Sequence, residues 1–150
     1  MRPIRPDMSQ TILVVDDDRH TRILLDRLLA KSASVSLAVD GAEARRLFAG
    51  EDFNLVLMDQ RLPDANGIDL LREFRALRPH LVGILMTGFA EVRDAVAAVR
   101  EGLFDYLTKP YKLDELVILV NRAHEYGQLS VKNRLLEQEL VRQEFPVELV

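Results

Sequence analysis

The stretch FNLVLMDQRLPDANG, residues 53–67, carries the pattern that decides the fold. Residues 53–58 form a short apolar run that ends at an acidic residue, Asp59. A run of this length is typical of a strand that is buried on both faces of a sheet. Apolar residues at helical spacing follow in residues 67–77, and Pro79 stops that pattern. The stretch therefore predicts a buried strand, a turn-rich loop and a helix, in that order.

The same alternation of strand and helix extends toward both ends of the chain. Apolar runs predict strands at residues 11–15, 34–39, 53–58, 81–86 and 104–107. Helical spacing predicts helices between them and a last helix from residue 113; in the first helix the residues at that spacing are Ile23, Leu24, Arg27, Leu28 and Ala30. Apolar strands separated by helices indicate a parallel sheet covered on both faces. The sequence thus predicts a doubly wound α/β domain.

Length, composition and charge exclude several classes of protein. The chain has 150 residues, which allows about one domain. Hydrophobic residues make up 48% and charged residues 29%, a balance that excludes wholesale disorder. The net charge of −4 argues against direct binding of nucleic acid, for which Lys and Arg supply most of the affinity. The absence of cysteine excludes disulfides and thiolate metal sites.

Neither a membrane span nor a secretory signal is indicated. The longest uncharged apolar stretch, residues 81–90, is about half as long as a bilayer-spanning helix. Residues 1–10 contain charges and two prolines and lack the apolar centre of a signal peptide. We therefore expect a cytoplasmic protein.

Polar residues with complementary chemistry stand at the ends of the predicted strands. They are Asp16, Asp17 and Asp18 after the first strand, Asp59 after the third, Thr87 after the fourth and Lys109 after the fifth. Because the carboxyl ends of parallel strands meet at one edge of a sheet, we expect these residues to form a site there. Carboxylates without thiolates or clustered imidazoles favour a hard cation, and few ligands with open water positions favour Mg²⁺. The cation and Lys109 would neutralise a phosphoryl group, with Asp59 as its acceptor.

The runs ILVVDDD, LVLMDQRLPDANG, ILMTG and FDYLTKP, in this order, resemble the signature blocks of the response-regulator receiver domain. The resemblance covers about residues 11–125. It implies a flavodoxin-like sheet of five strands in the order 2-1-3-4-5 with five helices, an order known for this fold rather than derived from the pattern. It also implies a phosphorylation switch driven by a histidine kinase, rather than an enzyme that turns over a substrate.

The resemblance assigns roles to individual residues around the acceptor. Asp59 would be the phosphoacceptor. Asp17 would bind Mg²⁺ directly and Asp16 mainly through water, and the metal would also take a carboxylate oxygen of Asp59 and the backbone carbonyl of Arg61. Asp18 would lie outside the direct ligands.

Further roles concern the phosphoryl group once it is in place. Thr87 and Tyr106 would form the switch pair, the hydroxyl moving to the phosphoryl group and the ring turning inward. Lys109, joined to Pro110 by a cis peptide in similar proteins, would hold a phosphoryl oxygen. Gln60, Arg61 and Phe89 would line the pocket and alter the lifetime of the acylphosphate.

The helical pattern continues past Glu125, where receiver-like domains normally end. A heptad count places one residue every three or four positions on a single seam: Tyr126, Leu129, Asn133, Leu136 and Leu140. An Asn on the seam favours a parallel pair of helices. Lys132 and Glu137 would attract across that pair, whereas Glu139 and Glu144 would repel. The alternative is a long last helix that lies on its own domain or frays.

We therefore divide the chain into a flexible segment, 1–10, a receiver domain, 11–125, and an extended helix or short coiled coil with a tail, 126–150. A homodimer would form through the last helices or through the face of the fourth and fifth helices. Residues 145–150 are too few for an output module. We expect either a stand-alone regulator or the receiver and linker of a longer one, with an unknown output partner.

Two other functions compete with the switch. In a Mg²⁺-dependent phosphohydrolase resembling the haloacid-dehalogenase type, Asp16 and Asp18 would do the chemistry and Asp59 would have no role. Against this, no acidic pair follows Lys109 at a strand end to complete such a metal site. The third alternative is a receiver-like scaffold that is never phosphorylated and only docks partners; the complete set of site residues argues against it.

Overall fold

Strands and helices alternate along the whole part of the chain that the structure describes. The structure, a computed structural model, describes residues 10–144, except for the side chains of residues 131, 134 and 141–144. The predictions for residues 1–9 and 145–150 therefore lie outside the described residues. The strands are β1 (Thr11–Val15), β2 (Ser34–Ala38), β3 (Leu55–Asp59), β4 (Val82–Gly88) and β5 (Asp105–Lys109). The α-helices are α1 (Arg19–Leu29), α2 (Gly41–Gly50), α3 (Gly67–Leu77), α4 (Val92–Arg100) and α5 (Leu113–Glu144), with a 3₁₀ turn at Phe89–Glu91.

The strands form one parallel sheet in the order β2-β1-β3-β4-β5, which confirms the predicted fold. β1 and β3 lie next to each other at the centre, and β4 and β5 continue the sheet on the side of β3. Parallel strands present their carboxyl ends at the same edge. This edge therefore carries the residues that end β1, β3, β4 and β5.

Each face of the sheet packs against its own set of helices. Alternate residues of β1 point to opposite faces, so that Leu13 and Val15 join one apolar cluster while Ile12 and Val14 join the other. The first cluster includes the buried residues of α2, α3 and α4. The second includes those of α1 and α5. The three inner strands, β1, β3 and β4, are buried on both faces, which explains why they appear as apolar runs in the sequence.

The strands reach further into polar sequence than the apolar runs predicted. β3 includes Asp59, β4 includes Thr87 and Gly88, and β5 includes Lys109, which pairs with Gly88 in the ladder. Backbone hydrogen bonds form the ladder whatever the side chain, so a strand continues where its apolar run stops. Asp59, Thr87 and Lys109 consequently stand on sheet backbone rather than on the following loops.

The buried face of α1 differs from the predicted one. Leu25 and Leu29 are buried, whereas Ile23 and Leu24 are 38% and 46% exposed. The helix contains two neighbouring leucine pairs four residues apart, Leu24 with Leu28 and Leu25 with Leu29. Helical periodicity alone does not show which of the two pairs is buried. Packing against the sheet buries Leu25 and Leu29.

The last helix is much longer than its packed part. α5 has 32 residues, about 48 Å at a rise of about 1.5 Å per residue. Its side chains that are buried against the sheet are Leu116, Leu119, Val120 and Ala123. The helix continues without a break past residue 125, which confirms the predicted extension. In the part of the chain that the structure describes, no helix is long and apolar enough to cross a membrane.

Candidate functional site

Three carboxylates meet at the carboxyl edge of the sheet. Asp16 and Asp17 follow β1, and Asp59 ends β3 on the neighbouring strand. Each of the three offers an oxygen, and these oxygens lie within 4.8 Å of one another. Asp16 and Asp59 are buried, whereas Asp17 is exposed. The sequence prediction that these residues converge is therefore met by the geometry.

Lys109 brings a positive charge into this cluster from the end of β5. Its Nζ lies 3.0 Å from Asp59 Oδ2 and 3.5 Å from Asp16 Oδ2. Burial acts to lower the pKa of Lys109, but its hydrogen bond to Asp59 and the charges of Asp16 and Asp59 outweigh burial and raise that pKa. The ammonium group is therefore held in its charged form between two carboxylates. The peptide bond from Lys109 to Pro110 is cis.

The cluster retains more negative charge than Lys109 balances. Burial raises the pKa of Asp16, and the negative charges of Asp59 and Asp17 act in the same direction. Asp16 Oδ1 accepts a hydrogen bond from the backbone N–H of Asp18 at 2.9 Å. Asp16 Oδ2 is buried, and its ion-pair partner is Lys109 Nζ at 3.5 Å, an ammonium group that it shares with Asp59. A buried carboxylate oxygen that shares its cation and lies near two further carboxylates is suited to a hard divalent cation, so the residues fit Mg²⁺.

The loop after Asp59 is folded back tightly on the end of β3. The backbone N–H of Arg61 donates to Asp59 Oδ1 at 3.3 Å. Gly67 N donates to Gln60 O at 2.8 Å, and Arg61 forms an antiparallel bridge with Asn66. Asn66 then caps α3 by accepting from the N–H of Ile68. The loop thus presents the backbone N–H of Arg61 to the Asp59 carboxylate.

Gly67 is required for this close approach. A Cβ on Gly67 would lie 2.2 Å from the carbonyl oxygen of Asp59 and 2.9 Å from Gln60 Cα. Both neighbours are backbone atoms and have little freedom to move away. The glycine in the sequence therefore marks contact between the start of α3 and the strand that carries Asp59.

Thr87 is buried beside the cluster, with its hydroxyl group directed at Gln60. Thr87 Oγ1 donates to Gln60 Oε1 at 2.5 Å, and both side chains are buried. The sequence predicted both residues for the pocket but not their contact, which joins the ends of β3 and β4.

The other predicted pocket residues lie further out. The guanidinium group of Arg61 is mostly exposed and forms an ion pair with Glu91, a residue that the sequence analysis did not single out. Phe89 is 86% exposed and lines a surface groove along α4, so its ring is not brought into the contacts of the cluster. Tyr106 is partly buried and packs against the apolar cluster under α3 and α4.

Asp18 and Asp64 act at helix ends rather than in the cluster. Asp18 caps α1, and its carboxylate accepts from the side-chain hydroxyl and the N–H of Thr21, which together lower the pKa of Asp18. Asp64 accepts from Gly41 N at 2.7 Å and from Ala42 N at 3.0 Å. This second contact ties the loop after β3 to the start of α2. The sequence analysis did not predict this contact, although an Asp in a turn-rich loop commonly accepts hydrogen bonds from backbone N–H groups.

The predicted dimer seam lies on α5 after Ala123, the last described side chain of that helix that is buried against the sheet. Of its residues, Tyr126, Leu129, Leu136 and Leu140 are between 53% and 58% exposed, and Asn133 is exposed as well. The ring of Tyr126 also packs against Phe104, with 5.1 Å between the ring centroids. The seam is therefore an exposed apolar stripe on a single chain.

Known sequences resemble this chain over most of its length. The family model of the response regulator receiver domain matches residues 12–121. The regulatory protein AtoC of Escherichia coli K12 is 41% identical over 130 residues, and the response regulator protein FleR of Pseudomonas aeruginosa is 42% identical over 123 residues. These matches cover 86% and 81% of this chain but only 28% and 26% of the relatives. The chain thus spans little more than a quarter of the length of the curated relatives it matches.

Solved structures share the fold. A response regulator receiver domain protein from Clostridium thermocellum superimposes with a TM-score of 0.75 and 32% identity, over 80% of this chain and 98% of that one. NtrX from Brucella abortus gives a TM-score of 0.80 and 30% identity, over 86% of this chain and 30% of that one. Together with the strand order and the match to the family model, these likenesses show that the chain belongs to the response regulator receiver domain family.

Proposed function

We propose that the domain is a switch that is turned on by phosphorylation of Asp59. The observation that carries this proposal is the placement of the Asp59 carboxylate 3.0 Å from the ammonium of Lys109, beside Asp16 and Asp17. A carboxylate is a competent nucleophile toward phosphorus when the charge on the phosphoryl oxygens is neutralised. The cluster provides the acceptor and the means of neutralisation together.

The phosphoryl donor is a phosphorylated histidine of a sensor kinase. A carboxylate oxygen of Asp59 forms a bond to phosphorus as the bond between phosphorus and the imidazole nitrogen breaks, and the electron pair of that bond leaves with the imidazole. Lys109 Nζ binds a phosphoryl oxygen and offsets its charge. Asp17, Asp59 and the backbone carbonyl of Arg61 would hold Mg²⁺ directly, with Asp16 mainly through water, and the ion would supply further neutralisation when bound.

Phosphorylation acts on the rest of the domain through Thr87 and Tyr106. The Thr87 hydroxyl donates to the new phosphoryl group, and Tyr106 repacks against α4 in response. This changes the surface of α4, β5 and α5 and with it the binding of a partner or of a second copy of the chain. Gln60 and Arg61 follow the strand that carries Asp59, Phe89 follows the strand that carries Thr87, and these three residues set how long the acylphosphate survives.

Intact mass spectrometry after incubation with Mg²⁺ and a small-molecule phosphodonor tests the proposal. We expect one phosphoryl adduct on the wild type and on Asp94→Asn, which changes an exposed carboxylate on α4, and none on Asp59→Asn. An adduct on Asp59→Asn would contradict the assignment of the acceptor. The wild type without an adduct, but with an intact fold, would favour a docking scaffold.

The same samples separate the switch from a phosphohydrolase. A phosphohydrolase of the haloacid-dehalogenase type would turn over a phosphate monoester and lose that activity in Asp16→Asn but not in Asp59→Asn. We expect no such turnover. Steady release of phosphate that is lost in Asp16→Asn and kept in Asp59→Asn would favour the phosphohydrolase over the switch.

We further propose that residues 126–140 of α5 pair with the same helix of a second copy. The exposed stripe of Tyr126, Leu129, Leu136 and Leu140 has the heptad spacing of a parallel pair, and Asn133 occupies one of its positions. Leu136 and Leu135 are neighbours with similar exposure, 53% and 58%, and only the first lies on the seam. Sedimentation is expected to show that Leu136→Ser weakens dimerisation and Leu135→Ser does not. Equal effects of the two variants, or a monomeric wild type with and without phosphodonor, would contradict the seam.

A further inference from the structure

The contact between Gln60 and Thr87 joins two residues that face each other across neighbouring strands. Asp59 pairs with Met86 in the ladder, so the next residues, Gln60 and Thr87, stand side by side at the edge of the sheet. Gln60 N donates to Met86 O at 2.9 Å, which fixes the backbone of Gln60 against β4. Thr87 Oγ1 donates to Gln60 Oε1. Gln60 is therefore held to β4 through its backbone and its side chain.

The Thr87 hydroxyl has one proton and so can serve one strong acceptor at a time. In this structure the short contact, 2.5 Å, is to Gln60 Oε1, and the carbonyl oxygen of Gly88 lies further away, at 3.2 Å. For the hydroxyl to donate to a phosphoryl group on Asp59, it must first release Gln60 Oε1. The two acceptors compete directly for the same proton.

When the Thr87 hydroxyl moves away, the Gln60 carboxamide oxygen loses its hydrogen-bond donor. Gln60 is 2% exposed, so water does not readily replace the lost donor. A buried acceptor without a donor destabilises the conformation that contains it, which here is the switched one. The neighbouring ion pair of Arg61 with Glu91 also links the two strand ends, but its arginine is 82% exposed and such pairs contribute little. The buried hydrogen bond is the stronger restraint.

We propose that Gln60 is a positioning residue that holds Thr87 in the unphosphorylated arrangement and opposes the switch. This proposal rests on the proposed function of Asp59 and Thr87. Gln60 then sets how strongly a phosphoryl group on Asp59 must attract the Thr87 hydroxyl before Thr87 moves. This role is separate from any effect of Gln60 on the lifetime of the acylphosphate. Replacing Gln60 by an apolar residue of similar size then makes switching easier.

Titration with beryllofluoride, a phosphoryl analogue, in the presence of Mg²⁺ measures this opposition. The amide resonances of residues 87 and 106 report binding and switching together. Gln60→Met keeps the volume and removes the acceptor, so we expect it to bind the analogue about tenfold more tightly than the wild type. Gln60→Leu is a second variant with the same expected direction, should the methionine variant fold poorly.

A double-mutant cycle separates the proposed hydrogen bond from packing. Thr87→Val removes the hydroxyl, so adding Gln60→Met to it is expected to change the affinity by less than about twofold. Equal affinity of Gln60→Met and wild type, or a gain that persists in the Thr87→Val background, would overturn the proposal. A wild type that gains a phosphoryl adduct while Gln60→Met binds no tighter overturns only this inference. A wild type that takes neither adduct nor analogue overturns the proposed function, and the inference with it.

Discussion

The ammonium group of Lys109 lies 3.0 Å from Asp59 Oδ2, although the two residues are 50 positions apart in the chain. The contact exists because β3 and β5 flank β4 in the sheet and present their carboxyl ends at the same edge. The same Nζ lies 3.5 Å from Asp16 Oδ2, so one cation bridges two carboxylates that would otherwise repel each other. Asp17 adds a third carboxylate that Lys109 does not balance.

The unbalanced charge predicts that Mg²⁺ stabilises the fold. A ligand that binds only the folded chain adds about 2.7 kcal/mol to the free energy of unfolding at a hundredfold excess over its Kd. We expect MgCl₂ to raise the melting temperature of the wild type and of Asp94→Asn relative to a chelator at matched ionic strength. Asp17→Asn, at an exposed position of the cluster, is expected to lose most of this rise. Equal rises in the wild type and Asp17→Asn would exclude the cluster as the binding site.

The contact of Gly67 with the backbone of Asp59 predicts a large cost for a single methyl group. Gly67→Ala would place Cβ 2.2 Å from the carbonyl oxygen of Asp59, so the loop or α3 must shift. We expect a loss of about 2–3 kcal/mol in the free energy of unfolding, measured by urea denaturation. Gly50→Ala is the control because nothing lies within 4 Å of its Cβ, and we expect it to change stability by less than about 1 kcal/mol. Similar values for the two variants would show that the close approach is not required.

The hydrogen bonds from the start of α2 to the carboxylate of Asp64 predict a dependence of stability on pH. The N–H group of Gly41, followed by that of Ala42, lowers the pKa of Asp64 below its ordinary value. The unfolded chain then binds the proton more readily, so this contribution is present above the unfolded pKa and is lost as the pH falls through the folded pKa. The stability difference between the wild type and Asp64→Ala should therefore be constant from about pH 7 to 5 and shrink below about pH 4. A difference that grows toward acid pH would contradict this assignment, and Asp94→Ala serves as the exposed control.

Arg78 predicts a stabilising contact at the other end of α2. Its guanidinium group donates to the carbonyl oxygens of Phe48 and Glu51 and lies 4.1 Å from the centroid of the Phe48 ring. Removing it leaves two carbonyls near a helix end without these donors, so we expect Arg78→Ala to cost about 2 kcal/mol in urea denaturation. Arg78→Lys should retain part of this contribution, and Arg100→Ala, at an exposed position of α4, should change little. A loss below about 0.5 kcal/mol in Arg78→Ala would show that the contact does not stabilise the fold.

Much of the architecture was predictable because the three inner strands, β1, β3 and β4, are buried on both faces. β1 and α3 were predicted with their observed bounds, since an apolar run and a helical period each coincide there with clear end signals. The phase of α1 was not predictable, because two leucine pairs compete and only packing against the sheet decides between them. The ends of β4 and β5 were missed for another reason: Thr87 and Lys109 are polar and yet belong to the ladder.

The site was predictable in membership but not in its internal contacts. Strand-end positions and the resemblance to a known family nominated Asp16, Asp17, Asp59 and Lys109, which the fold brings together. The hydrogen bond between Thr87 and Gln60 depends on the register of β3 against β4, which no local pattern encodes. Side-chain contacts between neighbouring strands therefore could not be predicted from the sequence.

The most direct test of the central proposal is to locate the phosphoryl group on the chain. Borohydride reduces an aspartyl phosphate to homoserine, and peptide mass spectrometry after treatment with phosphodonor, Mg²⁺ and borohydride identifies the reduced residue. We predict homoserine at position 59 and at no other acidic residue. Reduction at Asp16 or Asp17 instead, or phosphate retained on Thr87, would contradict the assignment of Asp59 as the phosphoacceptor.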